Sequence, residues 1–135
     1  MTPFDRDSDS ELPQGTADRA ALAGMVIQLF DHWQLDFPDR AALLGLDASD
    51  PTALDSFRKG ELSSASSDLD ARVGHLLGIH QSLRRLFPSN PDLAYGWMKT
   101  RNAAFSDRPP AELATELGPS GLMAVRSYLA RAVES

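Results

Sequence analysis

The side chains able to do chemistry are few, and their spacing argues against catalysis. His75 and His80 stand five positions apart, with His32 distant in sequence. Two metal ligands on one helix face recur at three or four positions instead. The chain has no cysteine, so neither thiolate chemistry nor a disulfide is expected, and no metal site. Carboxylates are many but scattered, without a pairing that marks a general acid and base. Gly118-Pro119-Ser120-Gly121 is a helix break rather than a nucleophile elbow, and there is no phosphate loop or dinucleotide fingerprint. The expectation is a non-enzyme with no catalytic residue and no cofactor. What the sequence does offer is a contact surface. Lys99, Arg101 and Arg108 share one loop beside Trp97, a cationic setting around an aromatic of the kind protein interfaces favour. Asn102 lies in the same loop, where its amide is suited to holding a turn through backbone groups. Trp97 and Phe105 read as core aromatics.

A chain of 135 residues supports one domain, or two very small ones sharing a core. The net charge of −6 is unevenly spread: residues 1–57 hold 3 Lys/Arg against 11 Asp/Glu, and residues 58–135 hold 10 against 8. An acidic front half is poorly suited to binding DNA by charge, whereas the back half can present a positive face. No apolar run approaches the roughly 20 residues of a membrane span. The start, MTPFDRDSDSELPQG, lacks the basic and apolar regions of a secretory signal, so a cytoplasmic protein without a membrane partner is expected.

The elements that must position the loop read as helices throughout. Residues 1–15 are expected to be a disordered polar leader. A first helix runs from a Thr16 cap to about Leu35, with Leu22, Val26, Leu29, Phe30 and Trp33 on one face. Asp36 and Pro38 start a second helix, Asp39 to Leu46, and Asp50 and Pro51 start a third, Thr52 to about Arg58, stopped by Gly60. This trio resembles a helix-turn-helix unit over residues 16–62. Arg58 and Lys59 are the only basic residues of its recognition helix, Thr52–Lys59, and acidic residues surround them. After a serine linker, Ser67 and Asp70 read as a capping box. A long helix follows, Asp68 to Phe87, with Leu69, Val73, Leu76, Leu77, His80, Leu83 and Phe87 inward, Ile79 and Leu86 flanking, and Arg72 and Arg85 outward. Asn90 and Pro91 open a helix carrying Leu93, Ala94, Trp97 and Met98; a loop runs from Thr100 to Pro109. Pro110 opens the next helix, and Ser120 to Val133 is the last, with Leu122, Val125, Leu129 and Val133 on one side. No stretch alternates as a strand does. The fold class is all-α: a small multi-helix domain, the N-terminal unit followed by a helical region over 63–135.

The run WMKTRNAAFSDRPPAELATELGPSGLMAVRSYLAR is similar to the toxin-binding domain of the Xre/MbcA/ParS antitoxins. That domain has a tryptophan, then an asparagine, an aromatic or aliphatic residue, a proline opening a helix and a glycine-led last helix. Here those are Trp97, Asn102, Phe105, Pro110 and Gly121, followed by Val125 and Leu129. ALLGL at 42–46, FRKGEL at 57–62 and ARVGHLLGIHQSLRRLF at 71–87 resemble the family's Xre-like helices and the long helix after them, so the likeness spans about residues 22–133. The family often has proline straight after the asparagine and glycine shortly after the aromatic; this chain has Ala103, and Ser106-Asp107.

The resemblance implies a type II antitoxin that neutralises a cognate RES-type toxin, an ADP-ribosyltransferase-like enzyme that consumes NAD, within a complex built on an antitoxin dimer. It implies that the C-terminal region occludes the toxin's active site, with Trp97, Lys99, Arg101, Asn102, Arg108, Arg126, Tyr128, Arg131 and Ser135 as the contact residues. A cleft that accepts the pyrophosphate of NAD favours Arg and Lys donors, so occlusion can be steric, or by acidic side chains, or by a terminal carboxylate at Ser135. Operator DNA is a further partner if the unit autoregulates its operon. The alternative is a protein that is primarily a DNA-binding regulator, through Thr52, Arg58 and Lys59.

Overall fold

The computed structural model describes residues 16–61 and 67–135, and over these the chain is all-α. The elements are α1 (Thr16–His32), α2 (Phe37–Leu44), α3 (Pro51–Arg58), α4 (Ser67–Leu86), α5 (Pro91–Gly96), α6 (Pro110–Leu117) and α7 (Pro119–Glu134), with short 3-10 turns at Trp97–Lys99 and Ala103–Phe105. No strand occurs among the described residues; the nearest thing is a single antiparallel bridge between Asn102 and Arg108. The leader and serine linker lie outside the described residues, as do the side chains of Thr16 and Ser67 to which capping roles were assigned.

Capping chemistry sets the boundaries. The Asp36 carboxylate accepts from the Asp39 N–H at 3.2 Å, Asp50 from Thr52 at 3.0 Å and Asn90 from Leu93 at 3.1 Å, each followed by a proline in the first helical turn. α1, α2 and α3 all stop in the same way. Gln34, Gly45 and Gly60 take left-handed φ values of 58°, 71° and 75°. In each case the next N–H then reaches back five residues, Leu35 to Phe30 at 3.1 Å, Leu46 to Ala41 at 2.8 Å and Glu61 to Ser56 at 2.9 Å. α1 therefore ends at His32 rather than Leu35, because Gln34 adopts a conformation the periodicity does not foretell. α2 lies two residues earlier at both ends than the sequence reading, Phe37 to Leu44.

α4 is the axis. It packs against α1, α2, α5 and above all α7, while α7 also packs on α6, and α2 touches α6. The apolar core is one cluster that draws on all seven helices, from Phe30 and Trp33 on α1 to Leu122, Val125 and Leu129 on α7. Two expectations for α4 are corrected. Ile79 is fully buried at the centre of its seam, whereas Leu77, His80 and Phe87 are only partly buried, since the seam follows Leu69, Val73, Leu76, Ile79 and Leu83. Arg72 does not point outward. Its side chain is 12% exposed and donates to the Ala42 and Leu43 carbonyls at 3.0 and 3.4 Å, with Asp68 at 2.9 Å on its other side. It thereby gives the Ala42 carbonyl a second donor beside the Gly45 N–H and reaches that of Leu43, at the end of α2, where a cation also suits the helix dipole. Gly45 leaves the room: a Cβ there would sit 2.8 Å from Arg72 Nε.

Candidate protein-docking site

The site is built on the loop between α5 and α6. Thr100 closes the turn before it, its hydroxyl donating to the Gly96 carbonyl at 2.8 Å. Asn102 then organises the rest. Its side-chain oxygen accepts from the Ala104 N–H at 2.9 Å, and its carbonyl accepts from Phe105 and Asp107 at 2.9 and 3.0 Å. Its own N–H donates to the Arg108 carbonyl at 3.2 Å. Asn102 is thus the keystone of the turn, as its residue type suggested. Ser106 and Asp107 take left-handed φ values of 59° and 61°, a region that favours glycine, so the loop tip holds two consecutive non-glycine residues there. The hydrogen bonds from Asn102 over-determine that conformation.

The loop brings three rings together. Trp97 and Phe105 meet edge to face at 6.3 Å between centroids, Phe105 and Tyr128 at 5.2 Å, and Trp97 lies at 6.1 Å from Tyr128 with its plane 21° away. These are the separations at which aromatic pairs attract. The reading of Trp97 and Phe105 as core aromatics is corrected: both are partly buried, as is Tyr128, and they pack on the edge of the core. Met98, beside Trp97, is the residue that enters the core completely. Tyr128 arrives from α7, whose inner face is Leu122, Val125 and Leu129. α7 can lie close because Gly121 is buried against α6, where a Cβ would stand 2.7 Å from the Leu113 carbonyl oxygen.

The cations expected to make the loop positive are largely balanced. Arg108 is clamped by Glu112 at 3.0 Å and Glu116 at 2.8 Å on α6, bonds that push its pKa upward and hold Glu116 below the usual carboxylate range. Arg101 lies 3.5 Å from Asp107. Lys99 is exposed and borders a cleft with Leu35, Asp39, Pro109 and Glu112. Burial and Asp36 raise the Asp39 carboxyl, and Lys99 opposes that rise.

The remaining candidates are spread over the molecule. Arg126 leaves α7 on the side of α4, with Nη1 3.2 Å from His75 Nδ1 and its guanidinium in the space where a Cβ of Gly78 would be. At about 100° per residue it lies on the flank of α7 opposite Tyr128. Arg131 is exposed, and Ser135 donates its hydroxyl to the Ala132 carbonyl at 3.0 Å. Of the candidates for DNA contact, Thr52 bonds Asp50 through its hydroxyl at 2.5 Å, and Arg58 and Lys59 both pair with Asp55. The structure therefore joins Trp97, Asn102, Arg108 and Tyr128, adds Phe105 to them, and sets Arg126 apart. Phe105 and Tyr128 lie 23 positions apart in sequence, and no local spacing signals that they meet.

No group of three or more His, Asp or Glu suited to a metal occurs among the described residues. His32 and His80 instead flank Tyr95, at 4.0 and 6.1 Å between ring centroids. The hollow between α1, α3 and α4 is about 20 Å³, room for one water. No helix among the described residues is long and apolar enough to cross a membrane. Residues 82–132 match the family model of the antitoxin Xre/MbcA/ParS C-terminal toxin-binding domain. Comparison with curated proteins found no match to the chain.

Proposed function

We propose, from the match of residues 82–132 to the Xre/MbcA/ParS C-terminal toxin-binding family model, that this protein is a type II antitoxin whose Trp97–Phe105–Tyr128 surface docks on a cognate RES-type toxin and blocks its NAD-consuming site. The observation that carries this reading is the ring cluster itself. It lies wholly within the matched segment, is assembled from three separate elements, and leaves large aromatic side chains partly open to solvent. Rigid aromatics of this kind dominate protein–protein binding energy because they desolvate much area at little entropic cost. The balanced charges around the rings fit a surface that excludes water from them rather than one that attracts a polyanion.

Co-expression with the product of the adjacent reading frame tests the proposal. That product should arrest growth and lower cellular NAD, and the full chain should reverse both. Trp97→Ala and Tyr128→Ala should fail to reverse them while remaining folded by circular dichroism. Rescue by both variants at the level of the unmodified chain would remove the ring cluster from the contact. Deleting residues 120–135 is not a test of contact, because Leu122, Val125 and Leu129 are fully buried and their loss opens the core.

A further inference from the structure

This inference rests on the docking reading above and concerns what holds its three rings in place. α2, α3 and α5 each start on a side-chain cap, whereas Pro109, which precedes α6, gives that helix none. Arg108 fixes the junction between the loop and α6 instead. All three nitrogens of its guanidinium engage α6. Nε donates to Glu112 at 3.0 Å, while Nη1 and Nη2 fork onto the two carboxylate oxygens of Glu116 at 3.2 and 2.8 Å. Parallel bonds of this kind fix orientation as well as distance. A lone exposed ion pair holds little, but a forked guanidinium shared between two carboxylates is the exception.

The backbone of the same residue closes the turn around Phe105. The Arg108 N–H donates to the Phe105 carbonyl at 3.2 Å, and the Arg108 carbonyl accepts from the Asn102 N–H at 3.2 Å. Phe105 meets Tyr128 at 5.2 Å and Trp97 at 6.3 Å. Arg108 thus ties the turn that carries Phe105 to α6, the helix on which α7 packs with Tyr128. We propose that Arg108 is a positioning residue, which sets Phe105 against Tyr128 and Trp97 through Glu112 and Glu116 and does not itself contact the toxin. By residue type it belongs with the cations that meet a partner. In place, a partner carboxylate would have to displace two that are already seated.

The two roles differ in sign once the α6 carboxylates are removed. The double variant Glu112→Gln, Glu116→Gln leaves Arg108 intact and frees it. A contact arginine would then bind at least as well, whereas a positioning arginine loses its hold. The test is calorimetric titration of the full chain with the purified product of the adjacent reading frame. It is paired with the indole N–H resonances of the free chain, Trp97 beside the loop and Trp33 in the core. Arg108→Gln and the double variant should each raise Kd about fivefold or more, and the triple variant should bind no more weakly than either, since all three break one linkage. Each should shift the Trp97 resonance and leave that of Trp33 in place. A double variant that binds within about twofold of the unmodified chain overturns the proposal, and so do additive losses in the triple variant, which mark separate contacts. A Trp97 resonance that stays put, or a Trp33 resonance that moves with it, overturns it as well. If Arg108→Gln fails to fold, Arg108→Lys takes its place with the same outcomes, since lysine keeps the charge without the fork. Failure of the unmodified chain to bind is a separate result: it overturns the docking reading and this inference with it, whatever the resonances show.

Discussion

Gly121 shows how one missing methyl group shapes the proposed docking surface. It lets α7 approach α6 until the Leu113 carbonyl oxygen is where a Cβ would collide, and α7 carries Tyr128 to the other two rings. Gly121→Ala should destabilise the fold by about 1–3 kcal/mol in urea titration, as over-packing does, and should weaken toxin binding through displacement of Tyr128. The histidines make a prediction of a different sign. Burial, then Arg126, lowers the His75 pKa; burial, then Arg84 and His32, lowers that of His80. With folded values below the ordinary 6.5, the unfolded chain takes up protons first as pH falls. Stability is therefore level above about pH 7 and is lost as pH drops through 6.5 toward the lower folded values. The urea midpoint should fall between about pH 7 and 5, and the double variant His75→Gln, His80→Gln should flatten that slope. At this scale the sequence was an uneven guide. Asn102 announced its turn role by residue type. Trp97 and Phe105 did not announce that they would stop at the edge of the core, because size and hydrophobicity say nothing about which neighbour completes the burial.

Among the elements, the helix starts were the most legible feature. Asp36, Asp50 and Asn90 each precede or nearly precede a proline, and all three cap as side-chain chemistry requires. The end of α1 was not legible, because Gln34 takes a left-handed φ usually left to glycine or asparagine. Nor was the inner face of α4: Ile79 and His80 are neighbours in sequence, yet Ile79 is fully buried while His80 is only partly buried, 6.1 Å from the Tyr95 ring. α3 bears on the alternative of DNA binding. Its cations Arg58 and Lys59 both lean on Asp55, whose carboxyl those bonds hold below the usual range. A phosphate would have to displace that carboxylate. The isolated protein should give no salt-sensitive mobility shift on its own promoter near 150 mM salt; a shift lost in Arg58→Ala and Lys59→Ala would contradict this. α7 has two duties, core on one face and Tyr128 on a flank, and the duties separate by substitution. Leu129→Ala should cost about 2–5 kcal/mol of stability, whereas Tyr128→Ala should chiefly cost binding.

Across the whole molecule, the all-α class followed from the absence of alternating runs and the repeated cap-and-proline punctuation. The continuity of the core did not follow from them. α1 and α2 contribute Phe30, Trp33, Leu43 and Leu44 to the cluster that α7 completes, so the proposed docking surface rests on residues from both halves of the chain. The segment matched to the toxin-binding family begins at residue 82, within α4, so its helices stand on an axis that the first half of the chain also grips. Charge counting suggested a positive C-terminal face, yet beside the rings Glu112 and Glu116 pair with Arg108, and Asp107 with Arg101. What remains distinctive is apolar and aromatic. The most direct measurement is therefore the affinity of the purified chain for the product of the adjacent reading frame, taken with the NAD-consuming rate proposed for that product. The unmodified chain should bind and suppress the rate, and Trp97→Ala with Tyr128→Ala should lose at least about 2 kcal/mol of binding while melting cooperatively. A rate untouched by the unmodified chain, or suppressed equally by the ring variant, would contradict the account.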